Sequence, residues 1–180
     1  VPGILALDPA RKLGWAYCLP GGPLEFSHLM LGITSPGSVG VALIQFLHER
    51  IDSFAPDLIA YEQPFLSPSF QTTFVLLGIG FTIDTVAAQC GIECCSVIAT
   101  EATKALTGRA KFPGKDYAER RKAKKRATME ACWARGWKAT EDEADAIAVL
   151  LLAEAKRFPE AAMRRPKVLK QPSGPLFAAE

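Results

Sequence analysis

Four carboxylates are placed where acids are hard to explain by solubility alone. Asp8 ends the apolar run Ile4-Leu5-Ala6-Leu7, and Glu62 ends a second such run, Asp57-Leu58-Ile59-Ala60-Tyr61. Asp142 and Asp145 stand three apart at the head of an alanine-rich stretch, Thr140-Glu141-Asp142-Glu143-Ala144-Asp145-Ala146-Ile147. Three have a structural explanation: Asp8 as a turn residue before Pro9, and Asp142 and Asp145 as complements to a helix N-terminus. That account suits Asp142 and Glu143 better than Asp145, which sits among apolar neighbours where an unpaired carboxylate is costly. Together the four make a set of hard oxygen ligands without histidine or thiolate, which suits Mg2+ or Mn2+ rather than zinc. Two such ions about 4 Å apart can activate water and steady the leaving oxygen in an in-line phosphodiester cleavage.

Net charge is only +2, but the basic residues are unevenly spread. From Lys104 to Arg126 there are ten Lys or Arg against Asp116 and Glu119, so nearly half of the 21 basic residues occupy 23 positions. A charge run is often a solvated helix face. Here Arg109, Lys111, Lys115, Arg121, Lys122, Lys124 and Lys125 also follow or flank Phe112-Pro113-Gly114, and basic character with an aromatic suits a nucleic-acid backbone and its exposed bases.

The elements that must hold these groups read as follows. Ile4 to Asp8 is a strand buried on both faces, with its acid at the end where open α/β sheets place their binding crevice. Leu13 to Leu19 and Leu24 to Ile33 make a hairpin around Gly21-Gly22-Pro23. Ser35-Pro36-Gly37 starts a helix whose apolar positions include Val41, Ile44, Phe46, Leu47 and Ile51, and which Pro56 ends. Asp57 to Glu62 is a second buried strand, parallel to the first if the two acids meet. Ser67-Pro68 caps a very apolar helix over 70–88 that stops at Cys90-Gly91. One side of that helix is expected to meet a partner chain.

Glu93 to Ile98 is a further strand. Thr100 and Thr103 open a short helix broken by Thr107-Gly108, and residues 109–117 form a loop. Ala118 to Arg135 is a basic amphipathic helix with Ala127, Ala131 and Ala134 inward and Gly136 closing it; Trp133 and Trp137 read as packing aromatics. Thr140 and Glu143 form a capping box, so Asp142 and Asp145 share one face in the first turns of the last long helix, which Ile147, Leu151 and Leu152 hold on the sheet. From Pro159 onwards Pro166, Pro172 and Pro175 with Arg164, Arg165, Lys167 and Lys170 describe an extended arm.

A chain of 180 residues suits one domain with a substantial core. Cys18, Cys90, Cys94, Cys95 and Cys132 have neither C-x-x-C nor zinc spacing, and read as reduced thiols of a cytoplasmic protein. The most apolar segment, Phe74 to Ile83, is short for a membrane span, so no membrane association is expected. No secretory leader is visible, and because the chain opens on Val1, native residues are expected to precede it.

Four motifs in order carry a family resemblance: Ile4-Leu5-Ala6-Leu7-Asp8-Pro9, Tyr61-Glu62-Gln63-Pro64-Phe65, Thr103-Lys104-Ala105-Leu106-Thr107-Gly108 and Asp142-Glu143-Ala144-Asp145-Ala146. The chain resembles the RuvC-like Holliday junction resolvases from about Ile4 to Ala155. The resemblance implies a ribonuclease H-like α/β fold, a mixed five-stranded sheet flanked by helices, placed over residues 1–158; the residues themselves read as a Pro-rich basic tail over 159–180. It implies a homodimer that cuts four-way DNA junctions by paired nicks with Mg2+, or Mn2+ in its place. Asp8, Glu62, Asp142 and Asp145 then bind two metal ions. Phe65 stacks on a base near the crossover, and Lys104 approaches the scissile backbone. A second family lysine falls among Lys122, Lys124 and Lys125. Ala10, where the family has glycine, and the longer 109–117 loop depart from the pattern; the loop admits forks or flaps as substrates. A non-catalytic branched-DNA-binding protein on the same fold is the alternative. An ATP-binding protein of the actin or sugar-kinase type is disfavoured, because Pro9-Ala10-Arg11-Lys12 is no phosphate loop.

Overall fold

The computed structural model describes residues 2–32, 35–65 and 69–165. Strands β1 (Gly3–Asp8), β2 (Lys12–Cys18) and β3 (Glu25–Met30) are followed by α1 (Pro36–Phe54), β4 (Pro56–Glu62), α2 (Phe70–Gln89) and β5 (Glu93–Val97). Helices α3 (Ala99–Thr107), α4 (Tyr117–Trp133), α5 (Glu141–Arg157) and α6 (Pro159–Arg164) complete the chain. The sheet has the order β3-β2-β1-β4-β5. β1 and β2, and β2 and β3, run antiparallel, whereas β4 runs parallel to both β1 and β5. This is the mixed five-stranded sheet expected from the sequence.

The period of two along each strand sorts the core into two layers. Ile4 and Ala6 of β1, Ala16 and Cys18 of β2, and Leu58 and Ala60 of β4 face one side, packed with α3, α5 and Cys132 of α4. Leu5, Leu7, Leu13, Ile59 and Tyr61 face the other, against α1 and α2. Alanines dominate the first side on both surfaces: Ala6, Ala16 and Ala60 oppose Ala144, Ala146, Ala148 and Ala153 of α5, all buried. Small residues let the helix backbone come close to the sheet, so α5 lies nearly enclosed along its length.

Several expectations are corrected. On α1 the buried stripe is Val39, Leu43, Phe46 and Leu47, while Val41 and Ile44 are 67% and 41% exposed, because the 3.6-residue turn carries them round to solvent. Ser67-Pro68 lies outside the described residues; the N-cap of α2 is Ser69, whose side chain accepts from Thr72 N–H. α3 opens at Ala99 with Ile98 as an uncapped N-cap, and Thr103 instead turns its hydroxyl back to donate to the Ala99 carbonyl (2.8 Å). The fully buried positions of α4 are Thr128 and Cys132, Ala131 packs beside them on the core while Ala127 and Ala134 are partly buried, and the helix cap is Asp116, which accepts from Glu119 N–H. Trp137 does pack on the core, but Trp133 is 44% exposed.

α2 runs one residue beyond the helix read over 70–88, and an 18-residue stretch of it has a mean hydropathy of 1.4, long and apolar enough by length and composition to cross a membrane. Ile79, Ile83, Val86 and Ala87 on one side of it are buried in the sheet's second layer. Its other side exposes Phe70, Phe74, Leu77 and Phe81.

The extended arm read from Pro159 begins as helix α6, ordered by a buried ion pair. Arg165 reaches the fully buried Glu154 of α5, donates to the Gly22 carbonyl (3.0 Å), and leaves Glu154 to accept also from Gly21 N–H (2.7 Å). Pro166, Lys167, Lys170, Pro172 and Pro175 lie outside the described residues. All five cysteines are free thiols. Burial pushes the Cys18 and Cys132 thiols up to about 12, so neither supplies a thiolate nucleophile.

Candidate active site

The same alternation that sorts the core also aims the acids. Asp8 continues the Ile4-Ala6 face of β1, and Glu62 continues the Leu58-Ala60 face of β4; both belong to the side on which α5 packs. The register of the parallel pair runs Ala6 to Ala60 and Leu7 to Tyr61, so one step further on Asp8 comes level with Glu62. Sequence position thus becomes proximity through pairing.

α5 supplies the other two acids, and β2 fixes where that helix begins. Gly14 pairs with Asp8 on one side and with His28 on the other. A Cβ on Gly14 would lie 2.0 Å from the Asp142 carbonyl oxygen and 2.5 Å from its carbon, so the helix N-terminus rests on the bare Cα. The capping box read from the sequence is formed: Thr140 N–H donates to Glu143 Oε2 (2.7 Å). The other Glu143 oxygen lies 2.8 Å from His28 Nδ1, which ties the first turn of α5 to β3. Burial pushes the Glu143 carboxyl up, but the bonds from Thr140 and His28 outweigh it and hold the group below its ordinary range.

The electrostatics show the four acids as one cluster. Burial, then Asp145, Glu62 and Asp142 in turn, push the Asp8 carboxyl well above the usual carboxylate range, with Lys124 acting in the opposite sense. Glu62 is raised by burial and Asp145 against Lys124. Asp145 is raised by burial and by Asp142, against Lys124, Lys125 and Arg121. Like charges drawn together out of water oppose their own ionisation, and a bound cation reverses that balance.

Cationic side chains already stand among them. Lys12 Nζ lies 2.7 Å from Asp142 Oδ2, and Lys124 Nζ lies 3.9 Å from Asp145 Oδ1. Lys125 pairs with Glu141 at the start of α5, and its ammonium is pushed below the ordinary lysine range by burial and by Arg121. Among Lys122, Lys124 and Lys125, which the sequence could not separate, Lys124 and Lys125 are half-buried toward the acids and Lys122 is exposed. Arg121 is exposed but within electrostatic range of Asp145. Lys104 is exposed on α3 and, among the described residues, forms no ion pair with the four acids. Phe65 is 61% exposed just beyond Glu62, while Arg109, Lys111 and Lys115 are exposed on the loop between α3 and α4. Lys12, Gly14 and His28 are the positions that sequence reading missed; the spacing of Lys12 and Gly14, two apart on one strand face, was the available signal.

The donor set fits a hard divalent cation: carboxylates only, partly buried where the ends of two parallel strands meet the first turns of α5. It is not preassembled, since among the described residues no three His, Cys, Asp or Glu side chains stand as a ready metal-binding group. Lys12 and Lys124 hold two of the four acids instead.

No family model matches the chain, and no curated protein sequence matches it. Solved structures do match. Thermus thermophilus RuvC in complex with a Holliday junction substrate superposes with a TM-score of 0.65 at 14% identity, covering 87% of this chain and 96% of that one. A second Thermus thermophilus RuvC structure gives 0.62 at 16% identity with the same coverage. The yeast mitochondrial Holliday junction resolvase gives 0.56 at 11%, covering 89% and 83%. The mixed sheet, its strand order and its flanking helices are therefore the ribonuclease H-like fold of the RuvC-type resolvases.

Proposed function

We propose that this chain is a Mg2+-dependent, structure-selective endodeoxyribonuclease that resolves four-way DNA junctions by paired nicks. The observation that carries the reading is the convergence of Asp8, Glu62, Asp142 and Asp145 from three separate elements onto one face of this fold, beside a helix rich in Lys and Arg. Two divalent ions bound there supply a metal-activated water and a Lewis acid for the leaving oxygen. The chain's own groups do the rest. Asp8 and Glu62, on rigid strands, set the positions of the cations; Asp142 and Asp145 approach from the helix. Lys124 and Lys125 neutralise phosphate charge beside them, and Lys104, Arg109, Lys111, Lys115, Arg121 and Lys122 hold the DNA backbone further out. Phe65, exposed next to Glu62, offers a ring to a base at the opened crossover.

Paired nicks need two sites, and α2 supplies a surface for a second copy. Phe70, Phe74, Leu77 and Phe81 recur at spacings of four, three and four, which aligns them on one helix face, and they are 81%, 58%, 50% and 74% exposed. An aromatic seam of that kind is costly to leave in water, and a homodimer buries it.

The test is cleavage of a labelled four-way junction beside linear duplex, fork and flap DNA, with Mg2+ and with EDTA, for the native chain and for Asp145→Asn. Metal-dependent paired nicks on the junction, lost in Asp145→Asn while junction binding persists, are the expected result. Preferential cutting of forks or flaps overturns the junction specificity, and binding without cleavage in any metal overturns the nuclease.

A further inference from the structure

The start of β2 holds a cation that the proposed metal site must lose before it can form. Lys12, Gly14, Ala16 and Cys18 alternate onto the face of β2 that meets α5. Gly14 lies under the backbone of Asp142, so Lys12, two residues earlier, stands at the open end of the same row, and its ammonium lies 2.7 Å from Asp142 Oδ2. The pair is reachable by solvent: the Lys12 side chain is 39% exposed and that of Asp142 21%. Asp142 therefore spends its charge on a resident ammonium in the metal-free chain.

We infer that Lys12 is a built-in competitor for the divalent cation at Asp142, displaced as the metal and DNA arrive together. The inference rests on the metal-dependent reading above. An ammonium and a divalent cation cannot share one carboxylate oxygen at contact distance, because their mutual repulsion in a half-buried site far exceeds that in water. Metal binding through Asp142 Oδ2 thus requires Lys12 to leave. Its four-carbon stem begins at a strand terminus beside exposed Arg11, so the ammonium has a path outward, and a nearby DNA phosphate gives it an anion to move to. The consequence is coupling: DNA that draws Lys12 away frees Asp142 for metal, and metal bound at Asp142 frees Lys12 for DNA. By linkage each ligand tightens the other by the same factor. Lys12 is accordingly a positioning residue for the metal, not a group that touches the reacting atoms.

The experiment is Ca2+ binding by titration calorimetry, with and without a four-way junction of duplex arms, for the native chain, Lys12→Met and Lys12→Arg. Lys12→Met keeps the stem and removes the charge. In it, Ca2+ is expected to bind about fivefold tighter without DNA, the factor a half-exposed ion pair allows, and the tightening caused by DNA is expected to shrink correspondingly. Lys12→Arg keeps the charge and is expected to bind Ca2+ as the native chain does. A role limited to propping up α5 has the opposite sign, because removing the prop weakens metal binding. Equal or weaker Ca2+ binding by Lys12→Met overturns the inference alone if the native chain binds Ca2+ and cuts junctions. If no variant binds a divalent ion, the metal-dependent reading falls and takes the competitor with it.

Discussion

Replacing Gly14 by alanine tests the geometry of the site through a residue that bears no functional group. The added methyl would sit 2.0 Å from the Asp142 carbonyl oxygen, 2.5 Å from the carbonyl carbon and 3.2 Å from Glu143 N. These are backbone atoms of a capped helix and cannot rotate aside. To restore ordinary contact at 3.4 Å, the first turn of α5 and β2 must separate by about 1.4 Å. Gly14 pairs directly with Asp8, so the separation opens between the strand acids and the helix acids. Metal–oxygen distances tolerate only about 0.2 Å, and a misplacement of about 1 Å is worth on the order of a hundredfold in rate. Overpacking costs about 1–3 kcal/mol, and each kcal/mol lowers Tm by about 2–4 °C in a chain of this size.

Gly14→Ala is thus expected to fold, to melt several degrees lower, and to lose about a hundredfold in junction cleavage while its basic surface still binds DNA. Gly40→Ala is the matched control. Nothing lies within 4 Å of a Cβ at that position in α1, and alanine there favours the helix by about 0.5–1 kcal/mol. Circular dichroism melts, junction binding in EDTA and single-turnover cleavage in Mg2+ report the three quantities separately. Cleavage by Gly14→Ala within about threefold of native, with the fold intact, would refute the argument that α5 is positioned by contact with bare Cα14.

The charges and the apolar seam support three further predictions. Asp8, Glu62 and Asp145 all titrate above their ordinary range, so the metal-free folded state binds their protons more tightly than the unfolded state does. Stability contributed by these groups is greatest at low pH and is lost as pH rises through the interval between the ordinary and raised values. Asp8→Asn should therefore raise the metal-free Tm more at pH 8 than at pH 5 while abolishing cleavage; a gain that is no larger at pH 8 contradicts the assignment. In the native chain the same shift makes metal binding fail on acidification at a higher pH than for ordinary carboxylates. On α2, Phe81→Asp places a charge in the exposed seam and should convert the proposed dimer to a monomer in light scattering, with the proposed paired nicking reduced to single nicks; a native chain that is already monomeric removes the dimer.

Much of the architecture was legible because its signals are local. Short apolar runs gave β1 and β4, Gly21-Gly22 gave the hairpin, and Thr140 with Glu143 gave the start of α5 within a residue. The strand-end acids were legible for a further reason: a carboxylate that closes a doubly buried strand has few structural uses, and two in one chain have fewer. What remained hidden depends on register and face. Val41 and Ile44 belong to an apolar pattern broad enough to support more than one inward stripe, and only packing against the sheet and α2 selects Val39, Leu43, Phe46 and Leu47. The helix start at Thr100 failed because threonine caps only where its backbone is extended, and Ile98, at the end of β5, already has that conformation.

Lys12 and His28 show why a site's supporting residues are harder to see than its acids. Neither is unusual in type or local context. Lys12 matters because the alternation along β2 puts it on the same face as a glycine that admits α5, and His28 matters because the antiparallel register places it across that glycine from Asp8. The row Asp8–Gly14–His28 is thus one structural unit: an acid, a gap for the helix, and an anchor for Glu143 in that helix's first turn. A substitution that leaves all four acids in place but fills the gap is expected to slow the proposed cleavage without abolishing it as loss of an acid does, because it changes only the distance between them.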